Sequence, residues 1–70
     1  NEFRILQILL ENVGKIVSRD TIMERLWEND SFVDDNTLTV NVTRLRKKLE
    51  SIGMTDVIRT KKGIGYLVEL

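Results

Sequence analysis

The sequence predicts an α+β domain in which three helices are followed by a C-terminal β-hairpin. Three observations predict it. Residues 36 to 50 place Leu38, Val42, Leu45 and Leu49 in one narrow apolar stripe at helical spacing. Two earlier runs, 2 to 12 and 19 to 27, also carry apolar residues three and four apart. Near the C-terminus, Val57-Ile58-Arg59-Thr60 and Tyr66-Leu67-Val68-Glu69 are β-rich and flank a glycine-containing connection.

The first helix is expected over residues 2 to 12. Phe3, Leu6, Leu10 and Val13 share a face, with Leu9 beside it, and Ile5 and Ile8 fall on the far side. A helix apolar on two sides is normally buried on both. The other two helices can cover one face, so a segment preceding Asn1 is expected to cover Ile5 and Ile8. No capping pattern leads into Phe3, which agrees with such a truncation. Residues 13 to 17 read as a connector, with Gly14 ending the helix.

Ser18 is a good N-cap and Asp20 suits the first turn of the second helix, which runs from Arg19 to about Trp27. Ile22 with Leu26 and Met23 with Trp27 are core pairs at i, i+4. Arg19 and Arg25 read as solvated, although Arg19 could meet a phosphate near the helix start. Residues 28 to 35 form an acidic loop that carries Phe32 and Val33. Asp34 or Asp35 should cap the third helix. Glu28, Asp30 and Phe32 are either solvated surface or a contact for a basic protein partner. The third helix should end near Ile52, with Gly53 at C′. In the hairpin, Lys61 and Lys62 occupy the tip, where a solvated turn that guards an edge is the plain reading. The Gly63-x-Gly65 pattern precedes a strand and not a helix, so a nucleotide loop fails its context test.

Composition narrows the function. Seventy residues make one domain. The absence of Cys excludes disulfides and thiolate zinc sites, and the absence of His removes the commonest general base and metal ligand. Nothing resembles a signal peptide or a membrane span, and a cytoplasmic protein with no cofactor is expected. An enzyme would have to rely on carboxylates such as Asp34 and Asp35, which helix capping already explains. Net charge is zero, but it is unevenly spread: residues 1 to 35 carry four basic against eight acidic side chains, and residues 36 to 70 carry seven against three. Fields are screened over about 8 Å at physiological salt, so the basic half can bind phosphate despite the neutral total.

The third helix has the face such binding needs. Opposite its apolar stripe lie Asn36, Val40, Thr43, Arg44 and Lys47, flanked by Thr37, Thr39, Arg46 and Lys48. Arg and Lys can donate to guanine, Asn can pair with adenine, and a Val or Thr methyl can touch thymine. A solvated amphipathic helix would read the same in isolation. The order helix, helix, helix, basic hairpin adds what the helix alone lacks. It is the pattern of a winged helix-turn-helix, with recognition helix 36 to 51 in the major groove and wing 57 to 68 on the backbone or minor groove. A winged helix used only for protein contact is the alternative.

Four stretches carry a family resemblance: EFRIL, VSRDTIMERLW, VDDNTLTVNVTRLRKKLE and IRTKKGIGYLV. Together they span nearly the whole chain and resemble the C-terminal effector domain of OmpR/PhoB-family response regulators of two-component systems. The subgroup they look most like responds to bacitracin and cationic antimicrobial peptides, which implies a role in antibiotic resistance. The resemblance implies that Asn36, Thr39, Val40, Thr43, Arg44 and Lys47 face bases and backbone; Thr37, on the flank of the helix, can reach phosphate by its position alone. It implies that Arg46 meets backbone and that Thr60 and Lys62 lie near phosphate and minor groove; Lys61, beside Lys62 at the hairpin tip, is a further candidate for neutralising phosphate. Tyr66 matches a residue that packs the wing and can touch phosphate; plain core packing is its other reading. Thr43 stands where some relatives carry arginine, so base preference does not transfer. Lys62 stands where many carry arginine and lacks the planar fork. The resemblance also implies binding as a homodimer to a direct-repeat operator in double-stranded DNA. It implies RNA polymerase contact through the loop from Trp27 to Asp35, and a sensor histidine kinase acting on a receiver domain outside this chain. The family domain begins with a four-stranded sheet that this chain lacks.

Overall fold

In the computed structural model, which describes residues 2–28 and 32–69, the expected three helices and hairpin form in the expected order. They are α1 (Glu2–Leu10), α2 (Arg19–Glu28) and α3 (Asp35–Ser51), with β1 (Val17–Ser18) between the first two and β2 (Ile58–Lys61) and β3 (Gly65–Val68) as the hairpin. The three strands make one antiparallel sheet in the order β1-β3-β2.

Helix α1 is shorter than periodicity suggests. The backbone N–H groups of Glu11 and Asn12 still donate to Gln7 and Leu9 carbonyls, but as a closing turn, and Asn12 Nδ2 donates to the Ile8 carbonyl at 2.9 Å. Gly14 does not end the helix. It adopts φ +79° four residues beyond it and donates its N–H to the Val68 carbonyl at 2.9 Å, which steers the chain into the sheet.

The faces of α1 are the reverse of those expected. Ile5 and Leu9 are fully buried and Ile8 nearly so, whereas Phe3 is 80% exposed and Leu10 and Val13 are also exposed. The physical reason is β3. Helix α1 touches α2, α3 and β3, so the Ile5-Ile8-Leu9 stripe is enclosed from three directions within this chain. The expectation counted only helices as possible cover.

Strand β1 was not expected either. Val17 pairs with Tyr66 and Ser18 with Gly65, while Ile58 pairs with Val68 and Lys61 with Gly65 in the hairpin register. Ser18 still caps α2: its Oγ accepts from the Thr21 N–H at 3.1 Å. In α2, Ile22 and Leu26 are fully buried. Trp27 is not core; it stands exposed and meets Phe32 edge to face at 6.3 Å and 84°. Arg25 is not merely solvated, since its Nη2 pairs with Glu11 Oε1 at 2.8 Å.

Helix α3 is closed at both ends as its sequence dictates. Asp34 caps it, Oδ1 accepting from the Thr37 N–H at 2.8 Å. At the other end Gly53, at φ +86°, donates to the Glu50 carbonyl while Met54 donates to the Leu49 carbonyl, the paired bonds of a Schellman turn. Leu38, Val42, Leu45 and Leu49 enter the core. Asn41 joins them, 8% exposed, and its Nδ2 finds no partner among the described residues.

Candidate nucleic-acid interface

The outer face of α3 forms because the inner face is used. With Leu38, Val42, Leu45 and Leu49 buried, helical geometry turns Asn36, Val40, Thr43, Arg44 and Lys47 outward, and all five are exposed. Val40 stands out as an apolar side chain 46% exposed in the middle of this polar face. The Thr43 hydroxyl donates to the Thr39 carbonyl at 2.9 Å, which leaves its methyl and lone pair for any partner. Thr37 is exposed in the first turn.

The wing is tied to this helix. Arg46, half-buried, donates from Nη2 to Thr60 Oγ1 at 2.9 Å and to the Ile58 carbonyl at 3.3 Å. Arg46 and Thr60, both expected near phosphate, are therefore brought together as a brace between α3 and β2. Lys61 ends β2, and Lys62, Gly63 and Ile64 form the exposed tip. The tip closes through the Ile64 N–H donating to the Lys61 carbonyl at 2.9 Å, with Gly63 at φ +79°. Tyr66 is buried at 4% exposure, so its ring packs the core and only its hydroxyl is polar business. That hydroxyl accepts from Arg19 Nη1 at 2.7 Å.

Arg19 is the residue that sequence reasoning undervalued. Its Nε donates to Asp35 Oδ1 at 3.0 Å, and its Nη2 donates to the Asp35 carbonyl at 2.6 Å and to Thr39 Oγ1 at 2.9 Å. Its guanidinium carbon also lies 5.7 Å from the Tyr66 ring centroid. Burial alone would lower its pKa, but the Asp35 carboxylate and the Tyr66 hydroxyl outweigh burial and raise it, so the cation is secure. No local spacing signals this cluster, because its partners lie 16 to 47 residues away.

The cations differ in their pairing. Arg19, Arg25, Lys48 and Arg59 pair with Asp35, Glu11, Glu2 and Glu69. Among the described residues, Arg4, Lys15, Arg44, Arg46, Lys47, Lys61 and Lys62 have no carboxylate partner, and all of these but Arg4 and Lys15 lie on α3 or the wing. Of the expected protein-contact residues, Glu28 ends α2 and is exposed, Phe32 is 78% exposed against Trp27, and Asp30 lies outside the described residues.

Asp34 has a depressed pKa, because the Thr37 backbone N–H and, secondarily, the Thr37 side chain favour its charged form. A folded pKa below the unfolded one gives stability that is present above the ordinary carboxylate range. That stability is lost as pH falls through the folded value. Acid titration should therefore loosen the first turn of α3, read as faster amide exchange at Thr37. Asp34→Asn, which keeps an acceptor but cannot titrate, should flatten that dependence.

Among the described residues, no group of three or more Asp or Glu residues could hold a metal and no helix is long and apolar enough to cross a membrane.

Known proteins share this architecture. A family model described as "Transcriptional regulatory protein, C terminal" matches residues 1–68. The response regulator protein GraR of Staphylococcus aureus strain MRSA252 is 59% identical over 66 residues, 94% of this chain and 30% of that protein. The sensory transduction protein BceR of Halalkalibacterium halodurans is 52% identical over 69 residues, 99% of this chain and 30% of that protein. The chain thus spans under a third of these relatives. The C-terminal domain of the nisin resistance regulator NsrR superposes with a TM-score of 0.89 at 54% identity, covering 99% of this chain and 70% of that one. The AdeR DNA-binding domain, solved with an intercistronic region, superposes with a TM-score of 0.83 at 26% identity, covering 99% of this chain and 68% of that one. With the winged helix in place and residues 1–68 matched, the chain belongs to the C-terminal transcriptional regulatory family, the non-enzymatic winged-helix effector domains of OmpR/PhoB-type response regulators.

Proposed function

We propose that this chain is the sequence-specific DNA-binding output module of a two-component response regulator, with α3 in the major groove and the β2–β3 hairpin on the flanking backbone or minor groove. The observation that carries the reading is where the unpaired charge lies. Among the described residues, Arg44 and Lys47 on the outer face of α3 and Lys61 and Lys62 at the wing tip have no carboxylate partner, and of the remaining cations only Arg4, Lys15 and the wing-bracing Arg46 share that state. Unpaired Lys and Arg that lie beside exposed Asn36, Val40 and Thr43 can serve both phosphate neutralisation and base readout. The relatives bring the same reading. One neighbour in fold was solved on DNA, and others are named for nisin resistance or response regulation.

The roles separate experimentally. Arg44→Ala should cost about 1–3 kcal/mol at one base position and leave mixed-sequence binding little changed. Lys62→Ala should weaken all duplexes alike and reduce the slope of log affinity against log salt by about 1. Affinity measured on selected and mixed duplexes at two salt concentrations checks both. Equal losses on both duplexes for Arg44→Ala would remove it from base readout.

In the cell the module acts in the cytoplasm, as one of two copies on a direct repeat, under a receiver domain addressed by a sensor histidine kinase. Contact with RNA polymerase falls to the segment from Trp27 to Asp35. The exposed Trp27–Phe32 pair supports that second surface, since two large aromatic rings held edge to face in water are unusual without a partner. Phe32→Ala should leave DNA affinity intact and reduce transcription of a reporter. Loss of DNA affinity instead would place Phe32 in the fold and not in a partner contact.

A further inference from the structure

We infer that Arg19 is a positioning residue for DNA recognition: it locks the first turn of α3 to β3 and the wing turn, so that recognition helix and wing meet DNA as one surface. The inference rests on the DNA-binding reading above and adds a residue that makes no base contact of its own.

The position of Arg19 is unusual in what it joins. It is the first residue of α2, and its backbone N–H donates to the Ile64 carbonyl in the wing turn at 3.2 Å. Its side chain reaches the other way, to Asp35 and Thr39 in the first two turns of α3 and to the Tyr66 hydroxyl on β3. One residue thus holds the helix that enters the groove and the start of the wing's inner strand, on either side of Gly65. The planar fork is necessary, because Nε and Nη2 bind Asp35 together while Nη1 points to Tyr66. An ammonium on a flexible stem cannot meet these acceptors at once.

The hydrogen bonds also decide what Arg19 cannot do. The bonds to Asp35, Thr39 and Tyr66 use all but one of a guanidinium's N–H donors. Asp35 already neutralises the charge at 3.0 Å. Little remains to grip a phosphate. Two side chains on the interface are oriented instead. The Thr39 hydroxyl accepts from Arg19 and donates to the Asp35 carbonyl at 3.1 Å, so its hydrogen is committed inward and its methyl is set. The Tyr66 hydroxyl accepts from Arg19, so its own proton must point away from the guanidinium. Arg46 braces α3 to β2 further along the helix, through Thr60 and the Ile58 carbonyl. Arg19 is the matching brace at the helix's N-terminal end, where α3 carries Asn36, Thr39 and Val40.

The test uses the intact protein that carries this chain, with two probes: a duplex selected by the wild-type protein from a random pool, and a mixed-sequence duplex. All binding is measured well below every variant's thermal midpoint. Arg19→Gln should lower affinity for the selected duplex by about tenfold more than for the mixed one, the effect of losing one charge-assisted hydrogen bond. Tyr66→Phe removes no charge and should move the same ratio by a smaller factor with an unchanged salt slope. The double variant should be no worse than Arg19→Gln alone, because both act through one brace. Arg19→Lys should not restore the ratio. Three results would overturn the inference. An unchanged ratio with only a lowered midpoint would make Arg19 a stability residue. Equal losses on both duplexes, with a salt slope reduced by about 1 and Tyr66→Phe silent, would make it a direct phosphate contact. Rescue by Arg19→Lys would show that charge alone suffices. If Arg19→Gln fails to fold, an unchanged ratio for Tyr66→Phe overturns the inference by itself. A wild-type protein that selects no sequence would instead end the DNA-binding reading, and this inference with it.

Discussion

Gly65→Ala should destabilise the domain by about 3 kcal/mol, at the upper end of the usual cost of overpacking. A Cβ placed on Gly65 would lie 2.0 Å from the Val17 carbonyl oxygen and 2.8 Å from Ser18 Cα. Both obstacles are backbone, so no rotamer change relieves them. Strand β1 would have to move off β3, and it carries buried Val17, the Ser18 cap and the chain's entry into Arg19. A domain of this size has a reserve of about 4–10 kcal/mol, so the loss is a large share of it. The urea midpoint should fall with little change in slope. Gly53→Ala is the control. Space around Gly53 is open, but its φ is +86°, so only the left-handed backbone penalty of about 1–2 kcal/mol applies. If Gly53→Ala proves the more damaging, close approach of β1 and β3 does not govern this end of the sheet.

The same glycine shows where a sequence stops being legible. Periodicity located three helices and a hairpin because each is a local pattern that its own residues must satisfy. Ser18 and Gly53 were legible for the same reason, since a cap bonds to the backbone beside it, and the cap of α3 was legible to within Asp34 or Asp35. The outer face of α3 followed from its inner face. Strand β1 was not legible: Val17 and Ser18 are too few to show alternation, and what makes them a strand is Gly65, far along the chain. The Arg19 brace was hidden in the same way, as were the Arg46–Thr60 link and the burial of Asn41, whose Nδ2 has no partner among the described residues. Trp27 was misread because an aromatic residue at helical spacing looks like core, and only the fold places it beside Phe32 in solvent.

The inverted α1 gives the second large expectation. Ile5→Ala should cost about 3 kcal/mol, because a fully buried Ile would leave a cavity between α1 and its neighbours. Phe3→Ala should change the stability of the 70-residue chain by no more than about 0.5 kcal/mol, since Phe3 is 80% exposed. The contrast is demanding, because Phe3 is the larger side chain and transfer free energy alone would rank it first. Two apolar stripes run along α1 with similar composition, and 3.6-residue periodicity is indifferent between them. What breaks the tie is cover. Helices α2 and α3 and strand β3 all reach the Ile5-Ile8-Leu9 stripe, and Asn12 fixes the end of the helix on the Ile8 carbonyl. Paired denaturation of the two variants decides it. Ile5→Ala the more destabilising means that the sheet completes the core that the helices begin. Phe3→Ala the more destabilising would mean that α1 is rotated about its axis, and its packing against β3 would have to be reassigned.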